Sequence, residues 1–271
     1  MRPQQRLELA VAIAREAGER IIDARREHRF SHHYKDGQEL VTDVDVAVDT
    51  LIGERLATQL PDDERLSEEL APALDRLAQA EALWVVDPID GTVNFAHGLY
   101  HVAVSIAWAS HGEVCLGVVH APFLGETFTA LKGQGAWCND KPIRASRTND
   151  LDRCLVGTGF PYRRDSRPPL MRRLEAVLTH CRDVRRNGSA ALDLCDVACG
   201  RLDAYYESVS PWDFAAGQLI AREAGARTGH LYPCPGGIPP DLYGENLLVA
   251  SPEVHGELAE LLRAADDDRL A

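Results

Sequence analysis

One stretch constrains this chain more than any other: Trp84-Val85-Val86-Asp87-Pro88-Ile89-Asp90-Gly91-Thr92-Val93-Asn94-Phe95. Its apolar start reads as a buried strand that delivers Asp87 at its end. Pro88 and Gly91 then force a tight turn that brings Asp90 back beside Asp87. Two carboxylates held together at a strand end repel strongly unless a cation lies between them. Oxygen-only ligands of this kind suit Mg²⁺ or Mn²⁺ rather than zinc. At the turn, the backbone N–H groups of Gly91 and Thr92 are suited to hold a phosphate oxygen. Taken alone, the same run also fits an Asx-type turn that merely caps a strand.

The flanking periodicities give the rest of the architecture. Leu7, Val11, Ala14, Gly18, Ile21 and Ile22 recur at helical spacing and predict an amphipathic helix to about residue 27. A turn at Asp36-Gly37 precedes Leu40-Val41, and Thr42 with Asp45 three residues later has the form of a capping box opening a second helix. From Leu83 the period changes. Residues 83–86, 102–108, 114–119 and 127–131 are short β-branched and aromatic runs, read as strands of a mainly antiparallel sheet. Later segments read as helices over 170–181, 190–199, 212–224 and 253–264, the last with Ser251 as N-cap and Pro252 in its first turn. Strands are expected between them near 155–156, 204–207 and 246–250. With no repeat, low-complexity segment or linker, residues 1–271 are expected to form a single α+β domain of two halves.

Composition excludes some functions. A net charge of −13 opposes nucleic-acid and anionic-membrane surfaces, which need positive patches. One basic cluster, Arg163, Arg164, Arg167, Arg172 and Arg173, reads as a solvated loop and helix face. Seven cysteines with no C-x-x-C pair disfavour a disulfide framework or a zinc site, so reduced thiols in a cytoplasmic protein are expected. Cys195 and Cys199, at i and i+4, read as packed core thiols. Charges through residues 7–27 leave no apolar run long enough for a signal-peptide core or a membrane span.

Two more acidic sites stand apart from the central motif. Ser67-Glu68-Glu69 follows the charge run Pro61-Asp62-Asp63-Glu64, which by itself reads as a solvated face. Pro211-Trp212-Asp213-Phe214-Ala215-Ala216-Gly217 opens an apolar helix with Asp213 in its first turn, where the helix dipole alone would also favour a carboxylate.

These three segments, in this order, resemble the signatures of the inositol monophosphatases. The likeness spans nearly the whole chain and includes Asn94-Phe95-Ala96-His97-Gly98, Gly133-Gln134-Gly135-Ala136, Gly159-Phe160-Pro161 and Gly188-Ser189-Ala190-Ala191-Leu192-Asp193. The resemblance implies a layered αβαβα sandwich, usually a homodimer, and a lithium-sensitive, Mg²⁺-dependent phosphatase. It implies that Glu68, Asp87 and the carbonyl of Ile89 hold one metal and that Asp87, Asp90 and Asp213 hold a second. Asp45 and Thr92 would pair to orient the attacking water, with Glu68 counted among the catalytic groups. Lys35, Glu68 and Asp45 would lie near a weaker third metal site, and Asp36-Gly37 would form a mobile loop. Asp90, Gly91, Thr92, Ser189, Ala190, Glu207 and Asp213 would contact the substrate.

The implied reaction is hydrolysis of a small phosphate monoester, inositol monophosphate or a related polyol or sugar phosphate, by a metal-activated water. The metals would reconcile an acidic protein with an acidic substrate. A 3'(2'),5'-bisphosphate nucleotidase, a fructose-1,6-bisphosphatase and a histidinol-phosphatase share the same metal cluster and stay open. So does a regulatory binding protein that keeps the fold. One departure stands out: Ser208 to Trp212 gives five residues between Glu207 and Asp213, where the family usually has six. A displaced Glu207 would loosen discrimination among polyol phosphates; a tighter turn would leave it in place.

Overall fold

In the computed structural model, which describes residues 1–27, 30–35, 39–70, 80–161 and 167–267, the first helix, α1 (Pro3–Arg26), turns Ala10, Ile13, Ala14, Ala17 and Ile21 inward. Leu7, Val11 and Ile22, expected in the apolar stripe with Ala14, Gly18 and Ile21, flank it half-buried. Small residues let this face sit close on the sheet: a Cβ on Gly18 would fall 2.6 Å from the His120 ring. A hairpin, β1 (His32–Lys35) and β2 (Glu39–Thr42), leads into α2 (Asp43–Gln59). The Thr42 and Asp45 side chains each bond the other's backbone N–H, as the capping-box pattern predicts. The Asp36-Gly37 turn and the Lys35 side chain lie outside the described residues.

The strands β3 (Glu64–Ser67), β4 (Leu83–Asp90), β5 (Ala103–Ser110), β6 (Glu113–Ala121), β7 (Glu126–Leu131), β8 (Ala136–Cys138) and β9 (Lys141–Pro142) form one sheet in sequence order. Only the β3–β4 pair is parallel; the other neighbours are antiparallel. A second sheet, in the order β11-β10-β12-β14-β13, contains β10 (Leu155–Thr158), β11 (Asp183–Arg185), β12 (Ala204–Glu207), β13 (Arg227–His230) and β14 (Leu247–Ala250). The short helix α3 (Thr92–Ala96) follows β4. The remaining helices are α4 (Arg167–His180), α5 (Ala190–Ala198), α6 (Pro211–Glu223) and α7 (His255–Asp266).

Side-chain alternation along the strands sorts these elements into layers. Trp84 and Val86 of β4 pack with α1 and α2, while Leu83 and Val85 pack with α5 and α6. Tyr205, Leu247 and Val249 cover the opposite side of α5 and α6. Ala204, Tyr206, Leu248 and Ala250 face α4 and α7. The result is the αβαβα sandwich implied by the family resemblance. The middle layer is tight, since a Cβ on Gly117 of β6 would lie 2.6 Å from the Ala216 carbonyl oxygen of α6.

Two sequence expectations need correction. The last helix begins at His255, not Glu253. The Ser251 hydroxyl lies 2.7 Å from a Glu253 carboxylate oxygen and 2.9 Å from the Thr148 carbonyl instead of capping the helix, and residues 252–254 turn first, with Val254 and His255 N–H on the Ser251 carbonyl. Nor is the basic cluster a solvated helix face where it is described. Arg173 is buried and bonds both carboxylate oxygens of Asp266 at 2.7 and 2.6 Å, and Arg172 reaches the carbonyls of Ala265 and Asp266, so these side chains anchor α4 to the end of α7. The side chains of Arg163, Arg164 and Arg167 lie outside the described residues.

All seven cysteines are free thiols. Burial pushes Cys195 well above its ordinary value and Cys199 up to about 11, which makes both poor nucleophiles. No helix among the described residues is long and apolar enough to cross a membrane.

Candidate active site

Strand β4 carries Asp87 into the middle of the molecule, and its pairing with β5 is interrupted between Asp87 and Asp90. That irregularity, with Pro88 inside it, turns both carboxylates toward one cavity. The Asp87 carboxylate accepts the Ile89 N–H at 2.9 Å, so the Asx-type turn is present and is part of the site. Gly91 follows at φ 92°. Only glycine fits this point, because a Cβ would lie 2.8 Å from the His101 carbonyl and 3.2 Å from that of Gly188.

Three further elements converge on the turn. Parallel pairing of β3 with β4 sets Ser67 against Val86, and the Glu68 N–H bonds the Val86 carbonyl, so Glu68 arrives beside Asp87. In the charge run that precedes it Asp62 and Glu64 are exposed, as a solvated face would be, while beyond it Leu66 and Ser67 are buried and Glu68 lines the cavity. Asp213 comes from the first turn of α6, where its carboxylate accepts the Ser210 N–H at 2.7 Å. Ser105, cross-strand neighbour of Asp87, donates to the Trp212 carbonyl at 3.1 Å and so fastens that turn over the β4 end. Nothing in the local sequence around Ser105 marked it for this task.

Carboxylate oxygens of Asp87, Asp90 and Asp213 all lie within 4.8 Å of one another. Burial, and then the charges of Glu68, Asp90 and Asp213, hold Asp87 well above the ordinary carboxylate range. Burial and the Asp90 charge do the same to Asp213. Asp90 is pushed up to about 6 by burial, even though its carboxylate accepts the Ser189 hydroxyl at 2.5 Å and the Ala191 N–H at 2.7 Å. These oxygens cannot all be charged together without a counter-ion. An all-oxygen, multiply anionic donor set therefore fits a hard divalent cation.

Beside the β4 turn, α2 presents the buried Asp45 to Thr92. The Thr92 hydroxyl lies 3.0 Å from an Asp45 carboxylate oxygen and 3.0 Å from the Ile89 carbonyl. It has one proton and two acceptors, so it donates to one of them at a time. Burial raises Asp45 to about 6 against the hydrogen bonds from Thr42 and Thr92.

The cavity, about 600 Å³, is the right size for a small metabolite. Ser189, Ala190 and Glu207 are on its wall with Asp90, Gly91, Thr92 and Asp213. Ser189 is buried, and its hydroxyl caps α5 while donating to Asp90. The hydroxyl expected to meet the substrate thus serves Asp90. Glu207 keeps a place on the cavity wall close enough to Asp213 for their charges to interact. In the connection between them, the Val209 N–H bonds the Gly244 carbonyl at 3.0 Å. Tyr205 donates to the Glu207 carboxylate at 2.5 Å, and burial carries Glu207 up to about 7. Sequence reasoning gave no role to Tyr205, or to Arg186, the one Lys or Arg side chain among the described cavity residues.

Comparison with known proteins agrees with this architecture. The model of the inositol monophosphatase family matches residues 2–267. The Nus factor SuhB of Pasteurella multocida is 37% identical over 270 residues, covering 97% of each chain. Inositol monophosphatase 1 of Solanum lycopersicum is 37% identical over 266 residues, 96% of this chain and 95% of that one. Among solved structures, an inositol monophosphatase (IMPase) of Thermotoga maritima superposes with a TM-score of 0.85 at 30% identity, covering 97% of this chain and 99% of the other. With the family model spanning nearly every residue and the fold shared throughout, this chain belongs to the inositol monophosphatase family.

Proposed function

We propose that this protein is a Mg²⁺-dependent phosphomonoesterase that hydrolyses inositol monophosphate or a related small polyol or sugar phosphate. The observation that carries the reading is the convergence of Asp87, Asp90 and Asp213 within 4.8 Å, beside Glu68, in a cavity lined also by Thr92, whose hydroxyl meets the buried Asp45. Glu68, Asp87, the Ile89 carbonyl, Asp90 and Asp213 would hold Mg²⁺, with Mn²⁺ as an alternative. When bound, the metal supplies neutralisation of the phosphate and a lowered pKa for attacking water.

The chain's own groups do the remaining work. With the Ile89 carbonyl assigned to metal, the Thr92 hydroxyl directs its proton to Asp45. Its oxygen is then free to accept from the attacking water, fixing the line of attack and passing a proton toward the carboxylate. The turn at Gly91 and Thr92 receives the phosphate, and Glu207, held by Tyr205, accepts from hydroxyl groups of the leaving alcohol. Ser189 acts through Asp90, and Ala190 supplies wall. The proposed enzyme is a single domain and a homodimer, is cytoplasmic and is inhibited by Li⁺.

A second role, as a regulatory partner, is supported by the Nus factor name of the Pasteurella relative. The net charge of −13 opposes direct nucleic-acid contact but not a protein partner. The test is phosphate release from a panel of esters, including inositol 1-phosphate, fructose 1,6-bisphosphate and histidinol phosphate, with Mg²⁺ or with EDTA. Release that requires Mg²⁺ and vanishes in Asp87→Asn upholds the phosphatase reading. No release from any ester would leave the partner role as the function.

A further inference from the structure

At the cavity wall, four residues outside the expected set of site residues form a circuit: Asn94, Asn187 and Asp193 line the cavity, and His101 joins them from beside it. The Asn94 side-chain amide donates to the His101 carbonyl and to the Asn187 carbonyl, both at 2.8 Å. The Asn187 side chain donates to the Asp193 carboxylate at 2.7 Å. The same carboxylate oxygen lies 3.5 Å from His101 Nε2, an ion-pair contact and not a hydrogen bond, with the residue whose carbonyl Asn94 grips. Asn94 and Asp193 are 7% and 2% exposed, so these bonds form away from competing water.

The circuit joins the two segments between which Asp90 is suspended. Its backbone belongs to the β4 turn, while its carboxylate is held by Ser189 and Ala191 at the start of α5. The fit leaves no slack: a Cβ on Gly188 would lie 3.0 Å from the Asn94 amide nitrogen, and Gly91 is equally confined. A small slide of α5 against the turn therefore moves the Asp90 oxygens relative to Asp87 and Asp213. Metal ligands tolerate such shifts poorly, and loss of the groups that orient them costs tenfold to a hundredfold in affinity or activity.

We propose that Asn94, Asn187, Asp193 and His101 are positioning residues that lock the Gly91–Thr92 turn to the first turn of α5 and so hold Asp90 in its ligating place. The inference rests on the phosphatase reading, and its test separates the two. Full-length parent, Asn94→Ala, Asn187→Ala, Asp193→Ala, Asp193→Asn and the Asn94→Ala/Asp193→Ala double variant are compared. Mn²⁺ affinity is measured from the electron paramagnetic resonance of the free ion, and kcat and KM with inositol 1-phosphate at saturating Mg²⁺.

Asn94→Ala and Asp193→Ala are expected to weaken Mn²⁺ binding and lower kcat by about tenfold or more each, with KM nearly unchanged. Asp193→Asn, which still accepts from Asn187, should restore most of the loss. The double variant should cost less than the product of the singles, because one cut already opens the circuit. Asn187→Ala leaves both Asn94 bonds intact and carries the test if Asn94→Ala does not fold. Folded variants with parental Mn²⁺ affinity and kcat, or a rise in KM alone, would overturn the proposal. The parent's own Mn²⁺ binding and turnover report separately on the phosphatase reading.

Discussion

The clustered carboxylates make a prediction that runs against intuition: without metal, replacing Asp90 by Asn should stabilise the protein. Burial lifts Asp90 from its ordinary 3.8 to about 6, so in metal-free protein the charged form strains the folded state. That difference of about 2 in pKa corresponds to about 3 kcal/mol of stability at neutral pH. The sign follows from linkage. A folded pKa above the unfolded one means that stability is fully present below about 3.8 and is lost as pH rises through about 6. The amide of Asp90→Asn would mimic the neutral form and keep accepting from Ser189 and Ala191, so the variant should escape that loss.

For a chain of this size, about 3 kcal/mol is worth roughly 5–10 °C in Tm. The assay is thermal unfolding of parent and Asp90→Asn in EDTA at pH 7.5 and pH 5, then at pH 7.5 with saturating Mg²⁺. In EDTA at pH 7.5 the variant should melt higher; at pH 5 the gap should narrow as the parent takes up protons. Mg²⁺ should then raise the parent more than the variant and reverse the order. An Asp90→Asn protein that melts at or below the parent in EDTA at pH 7.5 would refute the claim that burying the Asp90 charge without a cation costs the folded state stability.

Other perturbations test separate parts of the molecule. Thr92→Ala should lower kcat by about 10² or more with little change in KM, because its proton path to Asp45 matters only as water attacks; a rise in KM alone would make Thr92 a binding residue. Glu207→Ala should cut kcat/KM for inositol 1-phosphate more than tenfold, and for glycerol 2-phosphate much less, since the smaller alcohol leaves fewer hydroxyls to grip; equal losses would mean Glu207 supports the site and not the alcohol. Arg173→Ala should cost about 3–5 kcal/mol in urea unfolding by stranding the Asp266 carboxylate, with phosphate release per folded molecule unchanged. Because Arg173 and Tyr232 hold Asp266 below its ordinary value, its stabilising contribution should be lost as pH falls through the folded pKa, and an acid-insensitive difference between parent and variant would contradict it.

Much of this was legible in the residues themselves. The Thr42–Asp45 box opened α2 where expected, because capping is decided by groups three residues apart. The strands from Leu83 to Leu131 announced themselves by β-branched runs, and Pro88 and Gly91 declared a turn that both carboxylates had to share. Strand β3 was missed because Glu64 to Ser67 is short and half-charged, and only its parallel pairing with β4 makes Leu66 and Ser67 buried. Of the α1 stripe, Ala14, Gly18 and Ile21 are buried as read, while Leu7, Val11 and Ile22 sit at its edge, because close sheet contact selects the small residues around Ala14 and Gly18.

By itself the sequence determined the chemistry on offer: a strand-end pair of carboxylates, an oxygen-only donor set, and a tight turn marked by Pro88 and Gly91. Tertiary structure alone decided which groups meet. The Thr92 hydroxyl reaches Asp45 across 47 residues, and Ser189 reaches Asp90 across 99. Their pairing depends on how α2, β4 and α5 are stacked, a matter no local pattern encodes. Ser105 on the Trp212 carbonyl, Arg173 on Asp266 and Asn94 between two loops belong to the same class. Propensity, capping and turn chemistry act over about one helical turn of chain, whereas a site made of buried charge is set by the packing that removes water around it.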